Sequence, residues 1–433
     1  MMKIFFQEYK SSRIWVGLYY LLLILILSLW GNGGTSPNMS YKIVYYICLL
    51  FPALLNQSDY VPMLIVGFSG VALYGYAYTF MPTYLPVYLV SLFGFYVLFI
   101  KSKHLRFKLP NIVILFGLYT LFVDLIMNLS IENITYSVFI IVILGRYLNN
   151  DIEWNAISKY SAGLSLVTLV LSTYFIIFQD RFTEDYYAQG SGLERSGWMD
   201  PNYFGMVIGM GTVAAMVQIT KYRELGIIEK FFYIITIAIS IPTLVLNASR
   251  GSLLAVAFSF AILLVFSKVG RIYKIFILAV IFGFIIYLYN NSYFDLLEYR
   301  VLNDSGTGSG RTEIWEQKLN AFYSGEKLYW IIGYGNVGGK ELGMSYAFGS
   351  HNDYVAILCA YGFVGLSMFI SMLVYPIIKL KKNATNKCIV IAVTIYMVIV
   401  CMTLEPYTAG RLPYFSYLLY ALLIMSAANS QKL

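Results

Sequence analysis

Apolar runs separated by short polar connections fill this chain from near its first residue to near its last. Runs long enough to cross a bilayer core, about 20 residues each, fall near 14–30, 42–56, 61–80, 86–100, 111–127, 135–149, 160–178, 204–220, 231–247, 252–267, 275–289, 352–378, 388–404 and 413–428. The pattern predicts an all-α, polytopic integral membrane protein of about fourteen transmembrane helices. These form one transmembrane domain over 1–433, with no room for a separate soluble domain. Two interruptions exceed the usual connection: a smaller loop at 179–204 and a large one at 290–351.

Charge orients the threading. The loops KSKHLRFK (101–108), KYRELGIIEK (221–230), KVGRIYK (268–274) and KLKKNATNK (379–387) fall on the same side as both termini. By the excess of basic residues on cytoplasmic loops, that side is inside. The threading puts 20 of the 30 lysines and arginines inside and 10 outside, so both large loops are external. The net charge of +8 is then a topology signal and gives no reason to expect a nucleic-acid partner. Only 12% of residues are charged against 59% hydrophobic, a balance no soluble domain tolerates. The first span, after Lys3, Lys10 and Arg13, lacks a convincing cleavage site and reads as a retained helix. Cys48, Cys359, Cys388 and Cys401 lie in or at the edges of spans without metal-ligand spacing.

Three external stretches hold the candidate chemistry. ERSGWMDPNYFG (194–205) sets Arg195 beside Trp198 and leads into a helix at Asp200-Pro201-Asn202. A guanidinium beside an aromatic suits a phosphate, or a lipid headgroup anchor. NASRGSLL (247–254) reads as a tight hairpin in which Gly251 lets the chain reverse. Arg250, this close to hydrocarbon, faces a cavity or partner, or snorkels to headgroups.

The large loop carries GRTEIW (310–315), GYGNVGG (333–339) and SHND (350–353). Between 290 and 350 it has five basic and seven acidic residues, so single arginines must act individually. TEIWEQKLNAF (312–322) has helical spacing, with Ile314, Trp315, Leu319 and Phe322 on one face, and is expected to lie on the membrane surface. GYGNVGG lacks the lysine of a phosphate loop and reads as a flexible reversal, or as a backbone cradle for substrate. His351 is the external histidine, a natural proton carrier at neutral pH, and Asn352 is placed to cap the next helix.

SRGSLL after a span, then GRTEIWE, then G-Y-G, then SHNDYVAILCAYGFVG resembles, in that order, the O-antigen ligase/polymerase superfamily (Wzy_C-type), most closely over 195–370. The resemblance implies a GT-C-like helical fold and an inverting glycosyltransferase that needs no metal or cofactor. It further implies undecaprenyl-diphosphate-linked oligosaccharide substrates and a site on the outer face of the bacterial inner membrane. The family's essential basic residues correspond to Arg250, Arg311 and His351, with Arg195 matching an arginine of an earlier external loop. Asp353-Tyr354 departs from the pattern, in which a small or apolar residue commonly follows His-Asn.

The residues fit that chemistry on physical grounds too. Arginines fork onto phosphate oxygens without a metal, and a base must relieve the attacking sugar hydroxyl of its proton. No external pair of carboxylates with metal-binding spacing is present. Arg250, Arg311 and Arg195 are expected on the diphosphate, and His351 on the acceptor hydroxyl or a diphosphate oxygen. Glu405, in TLEPY (403–407), is the rival base. Asn352 and Trp315 are further substrate contacts, and Trp198, Trp315 and Trp330 are candidates to stack on sugars or to anchor at the interface.

A repeat-unit polymerase is favoured over a ligase, because two external loops with an arginine each suit two lipid-linked substrates; a chain-length-regulating co-polymerase is then a conceivable partner. A ligase acting on lipid A core is the alternative. A lipid-linked oligosaccharide flippase is the alternative from another class, but it should carry charge within many spans, and here Asp124 is the main such residue.

Overall fold

The computed structural model describes residues 111–128, 154–178, 201–220, 225–266, 270–302, 310–343, 349–380 and 387–408. The expected spans 14–30, 42–56, 61–80, 86–100, 135–149 and 413–428 lie outside these residues, as do Arg195 and Trp198. The described residues form helices and no strand.

Eight apolar helices coincide with expected spans: α1 (Asn111–Asn128), α2 (Trp154–Phe178), α3 (Pro201–Ile219), α4 (Ile227–Leu246), α5 (Arg250–Phe266), α6 (Arg271–Asn290), α11 (Asp353–Ile378) and α12 (Lys387–Thr403). Among the described residues, α3, α4, α6 and α11 are long and apolar enough to cross a membrane. Four short helices fill the stretch between α6 and α11: α7 (Asp295–Leu302), α8 (Arg311–Ser324), α9 (Lys327–Ile332) and α10 (Gly335–Glu341).

Helix α3 is the hub, packed on α2, α4, α5 and α12 and buried along nearly its whole length. Its small residues let neighbours approach closely, as membrane helices require. A Cβ on Gly209 would lie 2.6 Å from the hydroxyl of Tyr396 in α12, and that hydroxyl donates to Met206 O at 2.7 Å. Ser259 in α5 similarly donates to Ala392 O in α12 at 2.9 Å. These polar contacts sit in an otherwise apolar seam and satisfy hydroxyls that lipid would leave unmet.

Helix α11 is broken at Gly362, whose φ of 64° and ψ of −169° interrupt the helical ladder. A break frees carbonyls that must find other donors. Here Tyr334 N–H donates to Cys359 O at 3.0 Å, and the Tyr119 hydroxyl of α1 donates to Tyr361 O at 3.0 Å. Gly333 (φ 83°) faces Ala360 backbone and Gly362 faces Ile331 backbone so closely that a Cβ on either would clash. GYGNVGG is therefore no flexible reversal. Its Gly335–Gly339 portion opens α10, which packs against α1 and the first half of α11.

Asp124 secures that packing from α1. Fully buried, it accepts from Asn336 N–H at 3.1 Å through Oδ1 and from the Tyr361 hydroxyl at 3.1 Å through Oδ2. A carboxylate buried in an apolar helix is costly unless such donors meet it.

Helix α8 forms where the spacing predicts, and the predicted side packs against protein. Phe322 packs with Leu358 and Cys359 of α11, and Leu319, Trp330 and Tyr334 close the cluster. Lys318, centred on that face, is 2% exposed. Its Nζ donates to Gly339 O at 3.2 Å and to Lys340 O at 2.7 Å, the carbonyls of the last turn of α10. A cation at a helix C-terminus satisfies carbonyls that lack an intrahelical donor. Burial pushes the Lys318 ammonium below the ordinary lysine range, and Lys340 adds to the shift.

Candidate functional site

Four motifs distant in sequence meet at the C-terminal end of α12. Each is delivered by a helix terminus, so its backbone position follows from where that helix starts or stops.

SRG opens α5. The reversal before it occurs at Ala248 (φ 50°), not at Gly251, which already lies in the helix. Gly251 is needed for another reason: a Cβ there would lie 2.6 Å from Thr403 Cβ. The glycine lets α5 press its first turn onto the last residue of α12. Leu253 N–H donates to Ser249 O at 3.0 Å, which makes Ser249 the residue before the first helical turn, and its hydroxyl bonds Ser252 Oγ at 3.1 Å. Arg250 is thus the first helical residue of α5, half-buried. Ala248 is fully buried against Leu296 of α7, so the loop's first helix covers this turn. On the other side, a Cβ on Gly205 of α3 would lie 2.5 Å from Ser249 Cβ, which brings the end of the DPNYFG stretch to the same turn.

GRTE opens α8. Gly310 adopts φ 79°, a conformation costly for other residues, and turns the chain into the helix. Arg311, the first helical residue, donates from Nη1 to Thr403 O at 2.8 Å. That bond caps a terminal carbonyl of α12 and takes one of the guanidinium's five N–H donors. One turn on, Trp315 donates its indole N–H to Ser350 O at 2.6 Å.

SHND opens α11. His351 is half-buried with φ 50°. The residue after it, Asn352, is the N-cap of α11: its Oδ1 accepts from Tyr354 N–H at 2.9 Å and Val355 N–H at 3.3 Å. The Ser350 hydroxyl faces two acceptors, Asn352 O at 2.8 Å and the carboxylate of Glu405. One proton serves both, so the hydroxyl is shared between them.

TLEPY follows α12. Glu405 is 7% exposed, held against Ser350 and against Gly349, where a side chain would collide with the carboxylate. Asp353 N–H donates to Leu404 O at 3.0 Å, which joins the SHND and TLEPY segments through their backbones.

The structure therefore gathers SRG and Arg311 on Thr403, and Trp315, Ser350 and Glu405 one to two residues further along. Arg250, Arg311 and the His351–Asn352 pair stand at the N-termini of α5, α8 and α11, each carrying partial positive charge. Trp330 packs beside Tyr323, ring centroids 5.7 Å apart, away from these termini and within the Phe322 cluster.

Thr403, Ser350 and Asp353 carry this assembly, Lys318 ties α8 to α10 beside it, and none of the four was marked as a site residue by sequence. Asp353 had one signal, its departure from the expected type after His-Asn. The others are ordinary residue types whose importance comes from partners distant in the chain. Among the described residues, no group of three or more His, Cys, Asp or Glu side chains is arranged to hold a metal ion.

Residues 235–370 match the family model described as O-antigen ligase (Wzy_C). The match begins in α4 and ends within α11, so it takes in SRG, GRTE, GYG and SHND. No curated protein and no solved structure matches the chain.

Proposed function

From the match of residues 235–370 to the O-antigen ligase family model, we propose that the chain belongs to the O-antigen ligase/polymerase superfamily and is a repeat-unit polymerase of a bacterial surface polysaccharide. In this reading it joins oligosaccharides carried on undecaprenyl diphosphate, in a GT-C-like bundle of about fourteen spans. The site faces outward from the inner membrane.

The observation that carries the proposal is the meeting of three helix N-termini, those of α5, α8 and α11, around the end of α12. Transfer of a glycan from a lipid diphosphate builds negative charge on the departing diphosphate. Helix N-termini and forked guanidiniums stabilise such charge, and preorganising them at the place where it grows supplies rate. Arg250 and Arg311 take the diphosphate, joined by Arg195 from the smaller external loop. His351 removes the proton of the attacking sugar hydroxyl as its oxygen bonds to the anomeric carbon from the face opposite the diphosphate, which inverts that centre. The glycan's bond to the diphosphate breaks, and undecaprenyl diphosphate leaves. Glu405, held on Ser350, orients the acceptor or stabilises protonated His351. Asn352 and Trp315 line the acceptor side.

The acceptor distinguishes polymerase from ligase. Purified protein given the lipid-linked repeat alone should produce a ladder of longer lipid-linked glycans. A protein inert with the repeat alone, but active when lipid A core is added, is a ligase.

A further inference from the structure

Asp353 ends the SHND motif, and the proposed chemistry makes no use of it. Its side chain is fully buried in the first turn of α11. An acid there commonly stabilises its own helix by capping it. Asn352 already fills that role, and the Asp353 carboxylate is turned to another segment. Oδ2 accepts from Tyr407 N–H at 3.0 Å, and Oδ1 accepts from Thr408 N–H at 3.0 Å and from the Thr408 hydroxyl at 2.9 Å. With the bond from Asp353 N–H to Leu404 O at 3.0 Å, four hydrogen bonds bracket Glu405, one on the residue before it and three on the residues after Pro406.

A buried carboxylate is costly, and three donors from a single turn offset that cost only while the turn keeps this shape. The same turn presents Glu405 to Ser350 and Gly349. Asp353 is therefore placed to fix where the Glu405 carboxylate stands against Ser350, the residue before His351. We infer that Asp353 is a positioning residue of the transfer site: it latches the 404–408 turn to the start of α11 and thereby sets Glu405. This rests on the proposed glycosyl transfer.

The test is a double-mutant cycle on purified full-length protein, reading glycosidic bond formation from a radiolabelled undecaprenyl-diphosphate-linked repeat. Asp353→Asn keeps the volume but turns an N–H₂ group toward one of the donors. Its kcat should fall by about 10²-fold, the scale of a roughly 1 Å misplacement, with KM for the donor within about threefold. Because Asp353 acts through Glu405, Asp353→Asn should add almost nothing in a Glu405→Gln background. A multiplied loss there, or a fully active Asp353→Asn beside an active wild type, overturns the inference while leaving the proposed function standing. A wild type that forms no glycosidic bond removes the proposed function, and the inference with it. If Asp353→Asn fails to accumulate, Thr408→Val, which deletes only the hydroxyl donor, enters the same cycle. A smaller loss that vanishes with Glu405→Gln supports the latch, and no loss or an additive one overturns it.

Discussion

Arg311 Nη1 lies 2.8 Å from Thr403 O, so the first residue of α8 is tied to the last residue of α12. Gly251 presses on the same Thr403 from α5. One residue thus sets the spacing between the two motifs proposed to hold a diphosphate. The bond to Thr403 also gives Arg311 a structural duty, helix capping, that a lysine can share in part.

Arg311→Lys and Arg250→Lys separate the two duties. Lysine keeps the charge and one donor direction but loses the fork. Both variants should insert and accumulate like wild type, as judged by monodisperse elution in detergent, yet lose about 10²-fold or more in polymer formation. Polymer formed at the wild-type rate by both would reduce these arginines to positive anchors.

Gly251→Ala should be harmful and Gly283→Ala harmless. At 251 the new methyl meets Thr403 side-chain atoms in a packed seam, whereas at 283, on α6, nothing lies within 4 Å among the described residues. Overpacking of this kind costs about 1–3 kcal/mol. Thermal unfolding in detergent should show a lowered midpoint for Gly251→Ala alone. Equal midpoints would mean that the α5–α12 seam yields without cost.

Lys318 should make stability depend on pH in a definite direction. Burial lowers its folded pKa below the unfolded value, so between the two values the unfolded chain binds more protons. Stability contributed at this position must then rise with pH through the window below about 10.4, the ordinary lysine value. The neutral amine still has two protons for the Gly339 and Lys340 carbonyls. Comparing wild type with Lys318→Met between neutral and alkaline pH should show the wild type gaining relative to the variant as pH rises. A gap that narrows contradicts this placement of Lys318.

The helices themselves were legible because apolar runs mark them, and the eight apolar helices of the described residues start and stop within six residues of the expected positions. The motifs around Arg250, Arg311, His351 and Glu405 stood out because charge, at 12% of residues, and histidine, with two, are scarce in such a chain. What the sequence did not carry was the route of the 290–351 stretch. Gly333, Gly335 and Gly339 suggested freedom, yet Gly333 and Gly339 serve close backbone contact with α11. Lys318 looked like one solvated charge among five, because its partners are carbonyls, which leave no trace in side-chain pattern. The face of α8 was correctly periodic, but periodicity does not say whether lipid or another helix covers an apolar stripe.

Activity should persist in excess EDTA, since the proposed stabilisation of the leaving diphosphate comes from guanidiniums and helix N-termini. Loss of activity in EDTA with recovery on adding magnesium or manganese would require a divalent cation in place of that mechanism.

The central claim is that this bundle makes a glycosidic bond at the end of α12. Purified protein in proteoliposomes, supplied with undecaprenyl-diphosphate-linked repeats on its outward face, tests it when both the glycan product and the released undecaprenyl diphosphate are measured. The account predicts lengthened glycans with one undecaprenyl diphosphate freed per bond formed, and both signals lost together in Arg311→Lys. Repeats that cross the bilayer intact, with no new bond and no diphosphate released, would contradict it and mark the protein as a transporter.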